Sequence, residues 1–237
     1  MMSSLCEAKL TVADVYESGQ SFSFRARQRR FSFIREMIER IIARKGHCRI
    51  ADIGGTQYYW RIAQDFLPRP DVEIHLINLD HTPAGHGFVS VAGNACELQN
   101  LDDNSFDLVH SNSVIEHVGS WEQMTRMAHN VKRLAPAYYV QTPNFWFPIE
   151  PHFRVPFFQF MPEQLRYRIL MNFNCGFGGQ RKTVSDAMRA VQSSNLLETR
   201  QLRELFPDAQ IKRERFGPFT KSLMAVRDGE TPQSSLL

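Results

Sequence analysis

The apolar positions of the chain follow two periods that alternate along its length. Ile34, Met37, Ile38, Ile41 and Ile42 recur at helical spacing, with Arg35, Glu36, Glu39, Arg40 and Arg44 on the opposite face. This predicts an amphipathic helix, which Lys45-Gly46 ends. A short apolar strand follows through Arg49 to Ile53, and then a helix from about Gln57 to Phe66, closed by Pro68 and Pro70. Further strands are predicted over Glu73 to Asp80, Phe88 to Val91, Phe106 to Asn112 and Ala137 to Gln141. Ser120-Trp121-Glu122-Gln123 has the form of a capping box, and Met124, Met127, Ala128 and Val131 give the helix behind it one apolar face. Pro162 to Leu170 reads as a short helix, Thr183 and Thr199 as caps of two more, and Ala209 to Arg213 with Phe219 to Arg227 as a β-hairpin. Strands alternating with helical stretches predict an α/β fold.

The pattern breaks in three places. Residues 1–30 are expected to form an N-terminal arm or lid, and residues 228–237 a polar, disordered tail. Between them, 31–227 is read as one domain with an aromatic, proline-rich insertion at about 143–182. There Phe145-Trp146-Phe147-Pro148 leads to Glu150-Pro151-His152-Phe153 and Pro156-Phe157-Phe158. Prolines this dense forbid regular structure. So many rings in a loop would be exposed unless they line a cleft, cover a ligand or pack on a partner; the plainer alternative is that they staple the loop to the core. Phe22, Trp146, Phe147 and Phe153 are therefore candidates to contact a substrate.

Candidate chemistry centres on the end of the first strand. Gly54 and Gly55 make a turn at which backbone can approach a ligand closely, at the carboxyl edge where ligands of open parallel sheets bind. Asp80, at the tip of the second strand, can accept both ribose hydroxyls of an adenosine ligand. A solvated strand-end acid is the plainer alternative.

Composition narrows the classes. With 237 residues, 43% of them hydrophobic, the chain can build a substantial core. The net charge of +3 is spread along the sequence, so no nucleic-acid surface is expected. No stretch is apolar enough to span a membrane and no export signal is read, so a cytoplasmic protein is expected. Cys6, Cys48, Cys96 and Cys175 are far apart, without a Cys-x-x-Cys pair. No metal is expected, and the oligomeric state, a homodimer included, is left open.

In this order the segments resemble class I S-adenosylmethionine-dependent methyltransferases of the type 11 kind, over roughly Phe31 to Arg227. Arg49 to Gly55 is similar to the first motif, with Asp52 at its acidic position and Thr56 beside the methionine end of the cofactor. Asp80 resembles the ribose-binding acid, and Gly93-Asn94-Ala95 the adenine-contacting turn. Phe106 to Asn112, with Val114-Ile115-Glu116-His117-Val118, is similar to the fourth-strand motif, which brings in Ser111 and Asn112. The sequence departs from the pattern at the missing third glycine of the first motif and at Asn94, where an acid is common. The resemblance implies a Rossmann-like, seven-stranded, mostly parallel sheet with helices on both faces and an antiparallel C-terminal hairpin. It also implies S-adenosylmethionine as cofactor, S-adenosylhomocysteine as product and a small-molecule acceptor.

Methyl transfer from a sulfonium is a displacement in which alignment supplies much of the acceleration, so at most a base is needed. His152, between prolines, and His117, after the fourth strand, are the candidates for that role. A non-catalytic binding scaffold of the same fold and a nicotinamide-dependent oxidoreductase are the competing readings. The broken glycine pattern and the final hairpin count against the second.

Overall fold

The computed structural model describes residues 22–81 and 83–229. Expectations for residues 1–21 and for the tail from 230 lie outside the described residues, as do the side chains of Phe22 and Phe24. Helix α1 spans Phe22–Lys45, so it begins within the stretch expected as an arm or lid. After it come β1 (Cys48–Ile53), α2 (Gln57–Trp60), β2 (Val72–Asn78), β3 (Phe88–Ala92) and β4 (Leu108–Asn112). They are followed by α3 (Trp121–Leu134), β5 (Ala137–Pro143), α4 (Glu163–Asn172), α5 (Val184–Gln192), α6 (Thr199–Leu205), β6 (Gln210–Phe216) and β7 (Phe219–Arg227).

The seven strands form one sheet in the order β3-β2-β1-β4-β5-β7-β6. The first five pair in parallel, and β7 runs antiparallel to both β5 and β6. Apolar side chains alternate between the two faces of the sheet. On one face Ala51, Val109, Tyr138 and Val140 pack against Met124, Met127 and Val131 of α3 and Leu202 and Leu205 of α6. On the other, Ile50, Ile74, Leu108 and Tyr139 pack against Ile34, Ile38 and Ile41 of α1 and against Trp60. A separate small cluster of Phe153, Phe158, Leu170, Cys175, Ala187 and Val191 holds the insertion and α4–α5 together as a cap. No helix among the described residues is long and apolar enough to cross a membrane.

Three local expectations are corrected. The helix after the glycine turn is a single α-helical turn continued by a 3-10 segment at Arg61–Ala63, shorter than the expected run to Phe66. Its few residues are set by the proline-bounded loop that returns the chain to β2. The second strand stops at Asn78, leaving Asp80 exposed in the bend beyond it. The cap of α6 is Glu198, whose side chain accepts from the backbone of Gln201 while Gln201 accepts from Glu198 N, and Thr199 is the first helical residue. A longer acid side chain does here what the hydroxyl was expected to do.

Ile50 is fully buried in β1, between Ile74 of β2 and Leu108 of β4. Cutting it to alanine removes methylenes from a site walled by two strands and a helix. Ile50→Ala is expected to lower stability by about 2–5 kcal/mol in urea unfolding, with the slope unchanged.

Candidate functional site

The site is built over a buried acid. Asp52 lies opposite His110 in the β1–β4 register, so the two side chains share a face. Asp52 is fully buried and accepts from His110 Nδ1 at 2.6 Å and from Trp60 Nε1 at 2.7 Å. The His110 ring stacks on Tyr139 at 5.7 Å and lies against Tyr59 and Trp60, which encloses the acid in aromatic rings. A Cβ built at Gly55 would fall 1.7 Å from Asp52 Oδ2, so the carboxylate occupies the space a side chain would need. Gly54 has φ +70°, in the left-handed region that favours glycine, and a Cβ there would fall 2.5 Å from Val114 Cγ2. The two glycines are thus required by different neighbours, Gly55 by the acid beneath it and Gly54 by the loop after β4.

The residues expected around the cofactor have different roles in the structure. Gly54, Thr56, Asp80 and Asn94 are exposed at the carboxyl edge of the sheet. Thr56 caps α2, its hydroxyl accepting from Tyr59 N at 3.3 Å. Asn94 Oδ1 accepts from Cys96 N at 3.0 Å, and Ala95 O from Asn130 Nδ2 at 2.9 Å, so both brace their own turn. Ser111 is buried, with its hydroxyl donating to Ile53 O at 3.1 Å in a cross-strand bond. Asn112 differs, because its Oδ1 is buried and accepts no hydrogen bond. Asn78, which the sequence reading passed over, donates from Nδ2 to Gly55 O at 2.9 Å and fixes the glycine turn to the second strand.

Beyond β4 and β5 lies a cavity of about 380 Å³, lined by Asn112, Ser113, Gln141, Phe147, His152 and Glu214 among others. Ser113 has φ +56°, uncommon for a residue with a side chain. Its N and Oγ donate to Gln141 O and Oε1, both at 2.9 Å, which joins the ends of the two strands. Of the aromatic candidates whose side chains are described, Trp146, Phe147 and Phe153, the structure brings Phe147 to this cavity. Trp146 is exposed and donates to Glu198 Oε2 at 2.8 Å, while Phe153 is buried against Phe158 in the cap. Gln159 Nε2 donates to the carbonyls of Phe145 and Phe147, so the insertion is braced from within.

His152 and His117 meet at the edge of this cavity, their rings 4.7 Å apart and nearly perpendicular. Each Nδ1 faces an acceptor. His152 donates to Glu150 Oε1 at 2.6 Å, and His117 to Ser193 O at 2.7 Å. Glu150 is itself buried, and its other oxygen accepts from the backbone of His152 and Phe153. Burial alone would lower His152, but the hydrogen bond and charge of Glu150 outweigh it and hold the imidazole above the ordinary histidine value. Burial by the protein packed around it holds the His117 ring below that value. Glu116, fully buried, accepts from Thr142 Oγ1 at 3.0 Å, and burial pushes its carboxyl up to about 7. Glu116, Glu150, Ser113 and Gln141 were not singled out as site residues from the sequence. The adjacency of Glu116 and Glu150 to the two histidines was the one available signal.

Asp52→Ala leaves Trp60 Nε1 and His110 Nδ1 without their acceptor and opens a void under Gly55. It is expected to cost about 3–5 kcal/mol in chemical unfolding, the range for breaking a buried polar pair from one side. A cost under about 1 kcal/mol would show that the acid does not hold the turn.

Residues 60–135 match the model of a methyltransferase domain family. An uncharacterised protein of Mycobacterium tuberculosis, recorded from strains CDC 1551 and H37Rv, is 30% identical over 70 residues, which are 30% of this chain and 23% of the relative. The match therefore spans less than a quarter of those relatives. Similar solved structures include the PH0226 protein of Pyrococcus horikoshii, at 12% identity over 90% of this chain and 94% of that one, with a TM-score of 0.48. A methyltransferase of Methanosarcina mazei described as S-adenosylmethionine-dependent is 12% identical over 76% of this chain and 91% of that one, with a TM-score of 0.47. An O-methyltransferase family protein of Burkholderia thailandensis is 12% identical over 86% of this chain and 58% of that one, at 0.46. The segment similar to the methyltransferase domain family carries β2, β3, β4 and α3 of a seven-stranded sheet closed by an antiparallel hairpin, and S-adenosylmethionine is the cofactor this similarity implies.

Proposed function

We propose that the protein transfers the methyl group of S-adenosylmethionine to an oxygen of a small molecule held in the cavity beyond β4 and β5. The observation that carries this reading is the position of that cavity. It borders Asn112 and Ser113, at the end of the strand paired with the glycine-turn strand, and it reaches His152 on the far side. Cofactor edge and acceptor space are thus adjacent.

Several residues present fit the cofactor. Gly54 keeps the turn open, Asp80 offers an exposed carboxylate beyond β2, and Asn112 Oδ1 is a buried acceptor still in want of a donor. Gly55 and Asp52 hold the turn in place, with Thr56, Asn94 and Ala95 flanking it. When bound, the cofactor supplies an electrophilic methyl on a sulfonium, and an acceptor oxygen takes it by in-line displacement. On the acceptor side, His117 and His152 each present Nε2, since each Nδ1 already donates elsewhere. The raised His152 favours the protonated form, which suits donating to and positioning an oxygen, while the lowered His117 stays neutral and suits accepting a proton. Phe147 gives the cavity an apolar wall.

Calorimetry tests the cofactor half of this reading. S-adenosylmethionine and S-adenosylhomocysteine should both titrate with the parent chain, and NAD should give no heat. Asp80→Ala should weaken both by about 1.5–3 kcal/mol, or roughly 10–100-fold, through loss of charge-assisted bonds to the ribose. Equal affinity in a folded Asp80→Ala variant would remove the ribose assignment. Absence of heat with either adenosyl compound would favour a non-catalytic scaffold. For the acceptor half, His152→Ala should lower turnover by about 10²–10⁴-fold while cofactor affinity stays within a few-fold, as measured by S-adenosylhomocysteine release with an active acceptor. Turnover close to the parent's would take His152 out of the reaction.

A further inference from the structure

Two histidines and a carboxylate from two separate segments converge beside the cavity, which His152 lines. Glu116 and His117 lie in the 3-10 turn at Ile115–His117 after β4, and His152 comes from the proline-rich insertion. One ligand atom from each can be chosen so that all three lie within 4.8 Å of one another. Chain separation makes this invisible as a motif, because no short ligand spacing joins the turn to the insertion.

The available atoms are the ones a metal would need. Both Nδ1 atoms are already bound to oxygens that can only accept, Ser193 O and Glu150 Oε1. In its neutral form each ring is thereby held in the tautomer that leaves a lone pair on Nε2, and a bound ion would take the place of the proton that His152 otherwise carries there. A histidine held through its other nitrogen by a carboxylate or a carbonyl is the arrangement that orients metal-binding imidazoles. Glu116 adds an independent observation, since it is fully buried, spends Oε2 on Thr142, and leaves Oε1 buried without any partner. An orphaned carboxylate oxygen in the interior calls for a cation or a donor, and a second buried carboxylate, Glu150, stands behind His152.

We propose that Glu116, His117 and His152 bind one divalent first-row transition-metal ion, through Glu116 Oε1 and the two Nε2 atoms. Two imidazoles with one carboxylate suit Zn²⁺ or its neighbours, whereas Mg²⁺ and Ca²⁺ take oxygen ligands. Bonds of about 2.0–2.1 Å space tetrahedral ligands about 3.4 Å apart, so ligand atoms that lie within 4.8 Å of one another need only a small side-chain adjustment to hold the ion. Three protein ligands leave at least one position free, and because His152 lines the cavity that position is open to an oxygen ligand there. The site stands on its own donor set; with the ion bound, the two Nε2 atoms neither hold nor take a proton, so the acid and base roles above belong to the metal-free chain.

The test uses the tag-free chain, stripped with chelator, dialysed against Zn²⁺ and measured by mass spectrometry for metal content. One equivalent per chain is expected. His117→Ala and His152→Ala should each retain less than about a tenth of that, while His129→Ala, which changes an exposed histidine on α3, should match the parent. Glu150→Gln keeps the three ligands but weakens the support of His152, and should loosen Zn²⁺ by about 10–100-fold. Loading with Co²⁺ gives a second readout, because visible absorption should be present in the parent and lost in His152→Ala. A parent chain that retains no metal would overturn the site. So would full retention in folded His117→Ala and His152→Ala variants, which would place the ion elsewhere.

Discussion

The rest of the site depends on one buried contact, the acid of Asp52 held between His110 and Trp60. A carboxylate removed from water costs several kcal/mol unless it is hydrogen-bonded on more than one side. Asp52 has two donors, His110 Nδ1 from β4 and Trp60 Nε1 from α2, both under 3 Å. These bonds tie three parts of the fold, the first strand, the short helix after the turn and the neighbouring strand, to a single point. The glycine turn must then pass directly over the acid, where the space under Gly55 is already filled. The altered first motif follows from this. With the acid and the indole packed beneath, the chain turns at once into the short helix that carries Trp60 instead of running through a further glycine.

Anchoring the turn from below leaves its upper side open, and the cavity beyond β4 and β5 is organised by a second set of contacts. Ser113, held at positive φ, joins β4 to Gln141 of β5, and the 3-10 turn that follows presents Glu116 and His117 to the insertion. Glu150 draws the insertion in, capping two backbone amides and one imidazole with a single buried carboxylate. The aromatic rings serve this scaffold more than they serve a ligand. Phe153 and Phe158 are core of the cap, and Trp146 is tied to the start of α6. Among the candidates with described side chains, Phe147 alone reaches the cavity.

Much of the fold was legible because its signals are local. The apolar face of α1, the Ser120–Gln123 box and the alternation of strands with helices are read from neighbours along the chain. The first motif was legible as a position but not as a contact. Nothing near Asp52 in sequence announces that His110, in another strand, is its partner, since that pairing is set by the β1–β4 register. The same limit hid Ser111, whose motif position suggests a ligand while its hydroxyl bonds Ile53 O. It also hid the meeting of His117 with His152, which depends on the path of a loop that no periodicity describes. The cap of α6 was misplaced by one residue because glutamate is a less usual cap than the threonine beside it.

The central claim is that the cofactor lies along the carboxyl edge of β1, β2 and β4, above the Asp52 anchor, with the acceptor beyond it. Amide hydrogen exchange of the full chain, with and without saturating S-adenosylmethionine, tests this most directly. The account predicts slowed exchange in peptides covering residues 54–58, 78–81, 93–96 and 112–114, with the β6–β7 hairpin unchanged. Protection confined to the cap or the hairpin, or exchange that does not respond to the cofactor, would contradict it.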